Sequence, residues 1–374
     1  MAIFTPGLKV SDRTLLVKTR RLPLKGEVLV QKGQRVKAFD IIAKTELPGK
    51  IYPINIANQL GVPASRLKEA MLKDIGDRIV EGELIAQTKG FMGLFRSESH
   101  ALVSGTIQSI SPISGEVIIQ ANPIPVVMDA YVDGLVVDVL ENEGCSIQTS
   151  ACLVQGIFGL GGEVQAPLQM GVQSAGQTLD ASQILDNMKG HIVVAGAFVT
   201  KEAVQKAIDV GAKAIITGGF DYNDIKDLLG YEVGVAITGS EEIGISIMVT
   251  EGFGEIAMAP KSFSLLKKYD GYQASLNGST QIRAGVIRPE VIITHTEDDL
   301  PKERWNPPEP KGIQLGDRVR GIRSPYFGKL GFVHALPISL ETMPSETKVR
   351  VLEIQFDDGT IATVPRANVE SIEE

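Results

Sequence analysis

Five cationic or aromatic side chains stand close together near the C-terminal end of the sequence. They are Arg318, Arg320, Arg323, Tyr326 and Lys329. Guanidinium groups can make bidentate contacts with phosphate oxygens, and a tyrosine ring can stack on an unpaired base. The group therefore predicts a surface that binds RNA or another partner through charge and stacking.

A second group consists of small residues that follow apolar runs in the middle of the chain. It comprises Gly218, Gly219, Ser240 and Gly252. Backbone amides at the carboxyl ends of parallel strands and at helix N-termini can hold a phosphate or a carboxylate. These residues predict an anion site for a nucleotide or another small molecule. The alternative is that they are ordinary turn residues, because turns of this kind are rich in glycine and serine.

Residues suited to catalysis or metal binding are scattered. The four histidines show no His-x-x-x-His spacing, and no Gly-x-Ser-x-Gly nucleophile motif accompanies them. Cys145 and Cys152 lack the Cys-x-x-Cys spacing of zinc sites, and we expect them to be buried free thiols. The sequence thus predicts no enzyme, no metal and no cofactor.

The elements that position the second group alternate between strand and helix. An apolar run at 191–196 precedes a helical pattern that begins after Thr200, and a second apolar run at 212–219 precedes a short helix closed by Gly230. This alternation predicts an α/β domain with a largely parallel sheet over residues 170–295.

The N-terminal part of the chain contains a repeat. Residues 33–36 and 40–43 recur at one constant offset as 76–79 and 83–86, which predicts repeated β-hairpin units within 1–165. This region resembles the biotinyl/lipoyl-like barrel-sandwich hybrid domains. The resemblance raises the alternative of a carrier protein, but Lys50 and Lys89 at the comparable turns lack the neighbours of a modified lysine. We expect unmodified lysines and a structural role.

The first group lies in a motif with further recognisable residues. The sequence opens at 316 with Gly-Asp-x-Val, continues with Gly328 and Gly331-x-Val333, and ends in two alternating runs joined by a turn at 357–360. It resembles the KOW motif of NusG-type elongation factors and ribosomal proteins. The resemblance implies an SH3-like barrel over 312–374 that binds RNA, a ribonucleoprotein or a protein. Acidic residues in the same segment, such as Asp357 and Asp358, keep the protein alternative open.

Composition limits these alternatives. The formal net charge of −8 argues against binding of RNA or anionic membranes along the whole chain, but it leaves a local basic surface open. No basic leader or long apolar run is evident, so we expect a cytoplasmic protein without a membrane partner. Four prolines mark a linker at 296–311.

Together these patterns predict a multidomain α+β protein with a β-rich barrel-sandwich hybrid region, a central α/β domain and a C-terminal KOW barrel. The predicted function is that of a non-enzymatic binding or scaffold protein associated with RNA, the ribosome or the transcription machinery. The alternative is a small-molecule sensor or enzyme that uses the central domain.

Overall fold

The computed structural model describes residues 8–88, 96–230, 239, 241, 243–281, 287–295, 313–321, 325–326, 329–337, 340–342 and 348–373. The fold is rich in β-structure, with short helices, several sheets and a half-barrel. Arg323, Ser240, Lys89, Gly328 and the predicted linker at 296–311 lie outside the described residues. None of the helices in the described ranges is long and apolar enough to cross a bilayer.

Two β units, one inserted into the other, form the N-terminal part. The outer unit comprises β1 (Leu8–Arg21), β2 (Glu27–Val28), β3 (Arg35–Val36) and β4 (Ile41–Leu47), and it resumes later in the chain. The inserted unit comprises β5 (Ile51–Asn55), α1 (Ile56–Leu60), α2 (Leu67–Ala70), β6 (Arg78–Ile79), β7 (Leu84–Gln87), β8 (Glu98–His100), β9 (Gly105–Ile110) and β10 (Glu116–Ala121). The outer unit resumes with β11 (Ile124–Asp129), β12 (Gly134–Leu140) and β13 (Gly144–Gln155).

The inserted unit leaves and rejoins the outer unit at one place. Leu47 at the end of β4 pairs with Ile124 at the start of β11, so the two connections run side by side. A Cβ on Gly49 would lie 1.9 Å from the carbonyl oxygen of Ala121, and only glycine therefore fits between them. The unit has its own core, which includes Ile85 and Ile107. The first repeat copy lies in the outer unit and the second copy in the inserted unit.

Strand β13 is buried on both faces at the centre of the largest sheet. It pairs with β1 and β12 and, later in the chain, with β22 (Glu290–Thr294). Successive side chains of a strand point to opposite faces. Ile147 and Leu153 accordingly pack in the core of the outer unit, whereas Cys152 and Val154 pack in the larger core of the central part.

Parallel strands flanked by helices form the central part. Its elements before β22 are β14 (Phe158–Leu160), β15 (Glu163–Met170), β16 (Thr178–Leu179), β17 (Ile192–Val194), β18 (Phe198–Val199), α3 (Lys201–Val210), β19 (Ala214–Phe220), α4 (Tyr222–Leu229), β20 (Ser246–Phe253), α5 (Pro260–Lys268) and β21 (Gln273–Asn277). Strands β15, β17, β19 and β20 pair in parallel, in that order.

The helix boundaries predicted for this part are confirmed. The Thr200 hydroxyl accepts a hydrogen bond from the Ala203 amide at 3.1 Å, which caps the start of α3. Gly230 ends α4 in the left-handed conformation, with φ of 74°. A third apolar run of the sequence, at 233–239, is a further candidate strand and lies almost wholly outside the described residues.

The C-terminal part is a small antiparallel sheet with its own core. Its strands are β23 (Arg318–Gly321), β24 (Leu330–Ala335), β25 (Leu340–Thr342), β26 (Lys348–Phe356), β27 (Ile361–Pro365) and β28 (Val369–Glu373). Val319, Ile354 and Val364 lie in the core of this sheet. The predicted turn after β26 is confirmed, because the Phe356 amide donates to the Thr360 carbonyl at 2.8 Å. Strand β28 also pairs in parallel with the start of β1.

Candidate functional site

Arg318 lies at the start of β23 and is held by a carboxylate. Its two terminal nitrogens donate to the two oxygens of Asp357, each at 2.6 Å, and the guanidinium lies 4.4 Å from the ring centroid of Phe332. This bidentate geometry is the strongest form of an arginine–carboxylate contact. A phosphate would have to displace Asp357 to take its place.

Lys329 also forms an ion pair with a carboxylate, that of Asp358, which follows Asp357 in the turn after β26. Its ammonium donates to Asp358 Oδ2 at 2.8 Å. This hydrogen bond, followed by that from the Thr360 amide, lowers the pKa of Asp358 well below its ordinary value. Tyr326 stacks on Phe356 with ring centroids 5.0 Å apart. The turn after β26 therefore brings Arg318 and Lys329 together and supplies a carboxylate to each.

Arg320 does not lie on this surface, and its predicted role as a partner contact is wrong. Its side chain is 1% exposed. One terminal nitrogen donates to the carbonyl oxygens of Thr250 and Glu251 at 3.0 and 3.1 Å, and to Glu251 Oε2 at 3.1 Å. Arg318 and Arg320 share one face of β23 because strand side chains alternate. The end of β20 covers that face at Arg320 and leaves Arg318 at the margin.

Two of the glycines predicted to hold an anion, Gly218 and Gly219, pack closely against carbonyl oxygens. A Cβ on Gly219 would lie 1.8 Å from the Gly254 carbonyl oxygen, and one on Gly218 would lie 2.3 Å from that of Ile256. Gly219 pairs with Gly252 across β19 and β20. An anion requires hydrogen-bond donors, and carbonyl oxygens would repel it. Gly218 and Gly219 therefore allow close backbone packing, and the anion site itself stays a prediction.

The side chain of Glu251, near the carboxyl end of β20, is hydrogen-bonded by other parts of the chain. The Glu251 carboxylate accepts the Ala259 amide at 3.0 Å on one oxygen and Arg320 on the other. Glu251 was not singled out from the sequence. The sequence shows Glu251 only as a polar residue after an apolar run. Its partner Arg320 lies on β23, much later in the chain. Asp357 and Asp358 were named from the sequence as acidic residues of the same segment, but not as the partners of Arg318 and Lys329.

One further cluster joins titratable residues that are far apart in the sequence. The carboxylate of Asp12 accepts from the Tyr269 hydroxyl at 2.8 Å and from Lys268 at 2.7 Å, and His295 Nε2 lies 2.9 Å from the Asp12 carbonyl oxygen. Asp12 lies in an irregularity of β1 opposite Cys152. These contacts fix helix α5 to β1.

The two cysteines are buried and free, as predicted. Burial, followed by the nearby charge of Asp12, raises the pKa of the Cys152 thiol to about 12. Within the described ranges, no three His, Cys, Asp or Glu side chains are grouped so that they could hold a metal ion. No family model and no curated protein sequence matches this chain.

Proposed function

We propose that the chain is a non-enzymatic binding or scaffold protein whose C-terminal barrel contacts a protein partner. The observation that carries this proposal is the pairing of Arg318 with Asp357 and of Lys329 with Asp358. These two pairs give the edge alternating charge and no net charge. Polyanion binding depends on unneutralised cations, whereas protein interfaces use charge complementarity of both signs.

The apolar part of the same surface supports a protein partner. Phe332 is half-exposed on β24 and lies under the Arg318 guanidinium. Aromatic residues and arginine are enriched among the residues that dominate binding energy at protein interfaces. We define the partner surface as Arg318, Lys329, Phe332, Asp357 and Asp358.

The proposed architecture follows the sequence division. Residues 1–165 form the barrel-sandwich hybrid region, 170–295 the α/β domain and 312–374 an SH3-like KOW barrel. The nested β units, the parallel strands with helices and the separate C-terminal core support three such regions, although β14 and β15 pair with strands of the second region. The KOW resemblance also supports an association with RNA, the ribosome or the transcription machinery, in which the partner would be one of the proteins of these assemblies.

The test captures partners on the full-length chain from cell extract, with and without ribonuclease. Partners are identified by mass spectrometry. We expect a protein that remains after ribonuclease treatment and is lost with Phe332→Ala or Arg318→Ala. Ile361→Ala is the matched control, because Ile361 is equally exposed on β27 and lies outside the partner surface. Loss of all captured material with ribonuclease would instead favour direct RNA binding.

The second candidate function is that of a small-molecule sensor or enzyme that uses the central domain. The contacts of Glu251 with Ala259 and Arg320 at the carboxyl end of β20 argue against it. A carrier function predicts an intact mass above that of the sequence. Mass spectrometry of the purified protein distinguishes it from the proposed function.

A further inference from the structure

The inserted unit repeats the outer unit contact by contact. Residues 27–44 of the outer unit match 70–87, and 127–140 match 98–111. Two cross-strand pairs of the outer unit recur at the matching positions. They are Ile41–Asp129, which recurs as Leu84–His100, and Val36–Gly134, which recurs as Ile79–Gly105. The two units therefore share one strand arrangement, and the repeat seen in the sequence is part of a larger match.

A contact between backbone and side chain recurs in the same way. The Ala38 amide donates to Asp133 Oδ1 at 2.7 Å. At the matching positions of the inserted unit, the Glu81 amide donates to Ser104 Oγ at 2.9 Å. Positions of one unit can therefore be compared directly with those of the other.

In the outer unit, the central part covers the surface around Ala38 and Tyr131. Gln165 Nε2 donates to the Ala38 carbonyl at 3.3 Å, and the Ser275 hydroxyl donates to the Tyr131 carbonyl. Gln165 and Ser275 are paired directly across β15 and β21. Two antiparallel strands with hydrogen-bonding side chains thus cover this surface of the outer unit.

The matching surface of the inserted unit is open. Leu102 matches Tyr131 and is 60% exposed, whereas Tyr131 is 2% exposed. Leu102 also lacks the positive φ of Tyr131, so its side chain lies on the surface and not in the core of the unit. Glu81 matches the buried Ala38 and is exposed, and the neighbouring Val80 is 65% exposed. The inserted unit therefore exposes apolar side chains where the outer unit has an interface.

Val80 and Leu102 lie at one end of the inserted unit, on segments that run side by side. Two contacts hold these segments together: the strand pair Ile79–Gly105 and the hydrogen bond from the Gly82 amide to the Ala101 carbonyl at 2.8 Å. Glu81 is fixed between them by its bond to Ser104. We define the docking face as Val80, Glu81 and Leu102.

The charges around the docking face are negative. The segments 80–83 and 98–104 contain Glu81, Glu83 and Glu98 and no lysine or arginine. Lys73, from a neighbouring segment, is already bonded to Glu83 at 2.5 Å. Such a surface repels a polyanion and attracts a basic protein surface.

We propose that the docking face of the inserted unit binds a protein partner that lays a pair of strands with basic side chains across it. The cover that β15 and β21 give to the matching surface of the outer unit indicates the complementary shape, and the carboxylates around the face indicate the charge. Three exposed side chains make a small interface, of the kind that transient contacts use. The docking face lies on a different unit from the partner surface and does not rest on the proposed function.

The test measures whether the docking face is covered in cell extract. Val80→Cys places a thiol on the face with little change in size, and Ile113→Cys places one at the other end of β9, where Ile113 is 91% exposed. Both native cysteines are buried, so a fluorescent maleimide reports on the introduced thiol. In the purified full-length chain we expect both thiols to be labelled at similar rates. In extract we expect Val80→Cys to be labelled about tenfold more slowly, as for a partner present at about ten times its Kd.

Second substitutions assign this protection to the docking face. Leu102→Ala and Glu81→Lys, each added to Val80→Cys, should restore the labelling rate of the purified chain. Ile361→Ala, added in the same way, should leave the protection unchanged, because Ile361 lies on β27. Protection should withstand ribonuclease and be lost when the extract is digested with a protease that is then inhibited.

Three results would contradict a protein partner. Equal labelling of the Val80→Cys and Ile113→Cys thiols in extract would show that the face is uncovered. Protection that ribonuclease removes would assign the face to RNA. Protection of Val80→Cys that is already present in the purified chain and grows with its concentration would assign the face to a second copy.

Discussion

Arg320 of the C-terminal sheet and Glu251 of the central part form a buried ion pair with 3.1 Å between their charged atoms. The two residues lie on strands from opposite sides of the predicted linker. Two carbonyl oxygens of β20 accept further hydrogen bonds from the same guanidinium nitrogen. The pair joins the C-terminal sheet to the carboxyl end of β20.

Removal of the Arg320 charge is expected to destabilise the chain strongly. Arg320→Met leaves the Glu251 carboxylate buried without its cation, and such a loss costs about 3–5 kcal/mol. Arg318→Met is the matched control, because its partner Asp357 is half-exposed and such pairs contribute about 0.2–1 kcal/mol. Urea unfolding of both variants measures the difference. Equal losses of unfolding free energy in the two variants would show that the buried Arg320–Glu251 pair stabilises the fold no more than the Arg318–Asp357 pair.

The close packing of β19 against the segment that follows β20 can be tested with a single methyl group. Gly219→Ala places a Cβ against the Gly254 carbonyl oxygen, so we expect a loss of about 1–3 kcal/mol or more from overpacking. Gly176→Ala is the control, since a Cβ there meets nothing within 4 Å. The free energy of unfolding is measured for both. A tolerated Gly219→Ala together with a retained fold would contradict the packing described for these glycines.

The cysteines are expected to be unreactive in the folded chain. Burial raises the pKa of both thiols, that of Cys152 to about 12, and the thiolate is the reactive form. Titration with a thiol reagent near neutral pH should label neither residue until denaturant is added. Rapid labelling of Cys152 without denaturant would show that the pairing of β13 with β1 opens in the folded chain.

Asp12 is expected to make the stability depend on pH in the acid range. Its hydrogen bond from Lys268, followed by that from Tyr269, lowers its pKa below the ordinary 3.8. A lowered folded-state pKa contributes stability that is present above the ordinary pKa and is lost as the pH falls through the folded-state value. Asp12→Asn should therefore be less stable than the unmodified chain at about pH 7, and the difference should shrink at about pH 3.

Urea unfolding at both pH values checks this prediction. Asp138→Asn provides the control, since Asp138 is exposed on β12. A difference between Asp12→Asn and the unmodified chain that stays constant with pH would show that the carboxylate charge does not contribute.

Local features were predictable from the sequence because neighbouring residues determine them. Thr200 caps α3 and Gly230 ends α4, and each acts on backbone groups within a few residues. The turn after β26 follows from its Asp-Asp-Gly sequence in the same way. These contacts need no knowledge of the rest of the fold.

The fate of Arg320 was not predictable because it depends on which surface covers β23. Alternation along a strand places Arg318 and Arg320 on one face, but it cannot show that the end of β20 covers half of that face.

The junction at Gly49 makes the inserted unit a candidate for removal. Because the chain leaves at Leu47 and returns at the paired Ile124, we expect that residues 48–123 can be replaced by a short hairpin turn with the register of β4 and β11 preserved. We expect the same junction to accept another domain whose termini lie close together. The outer unit would then tolerate exchange of the segment that it carries at this hairpin.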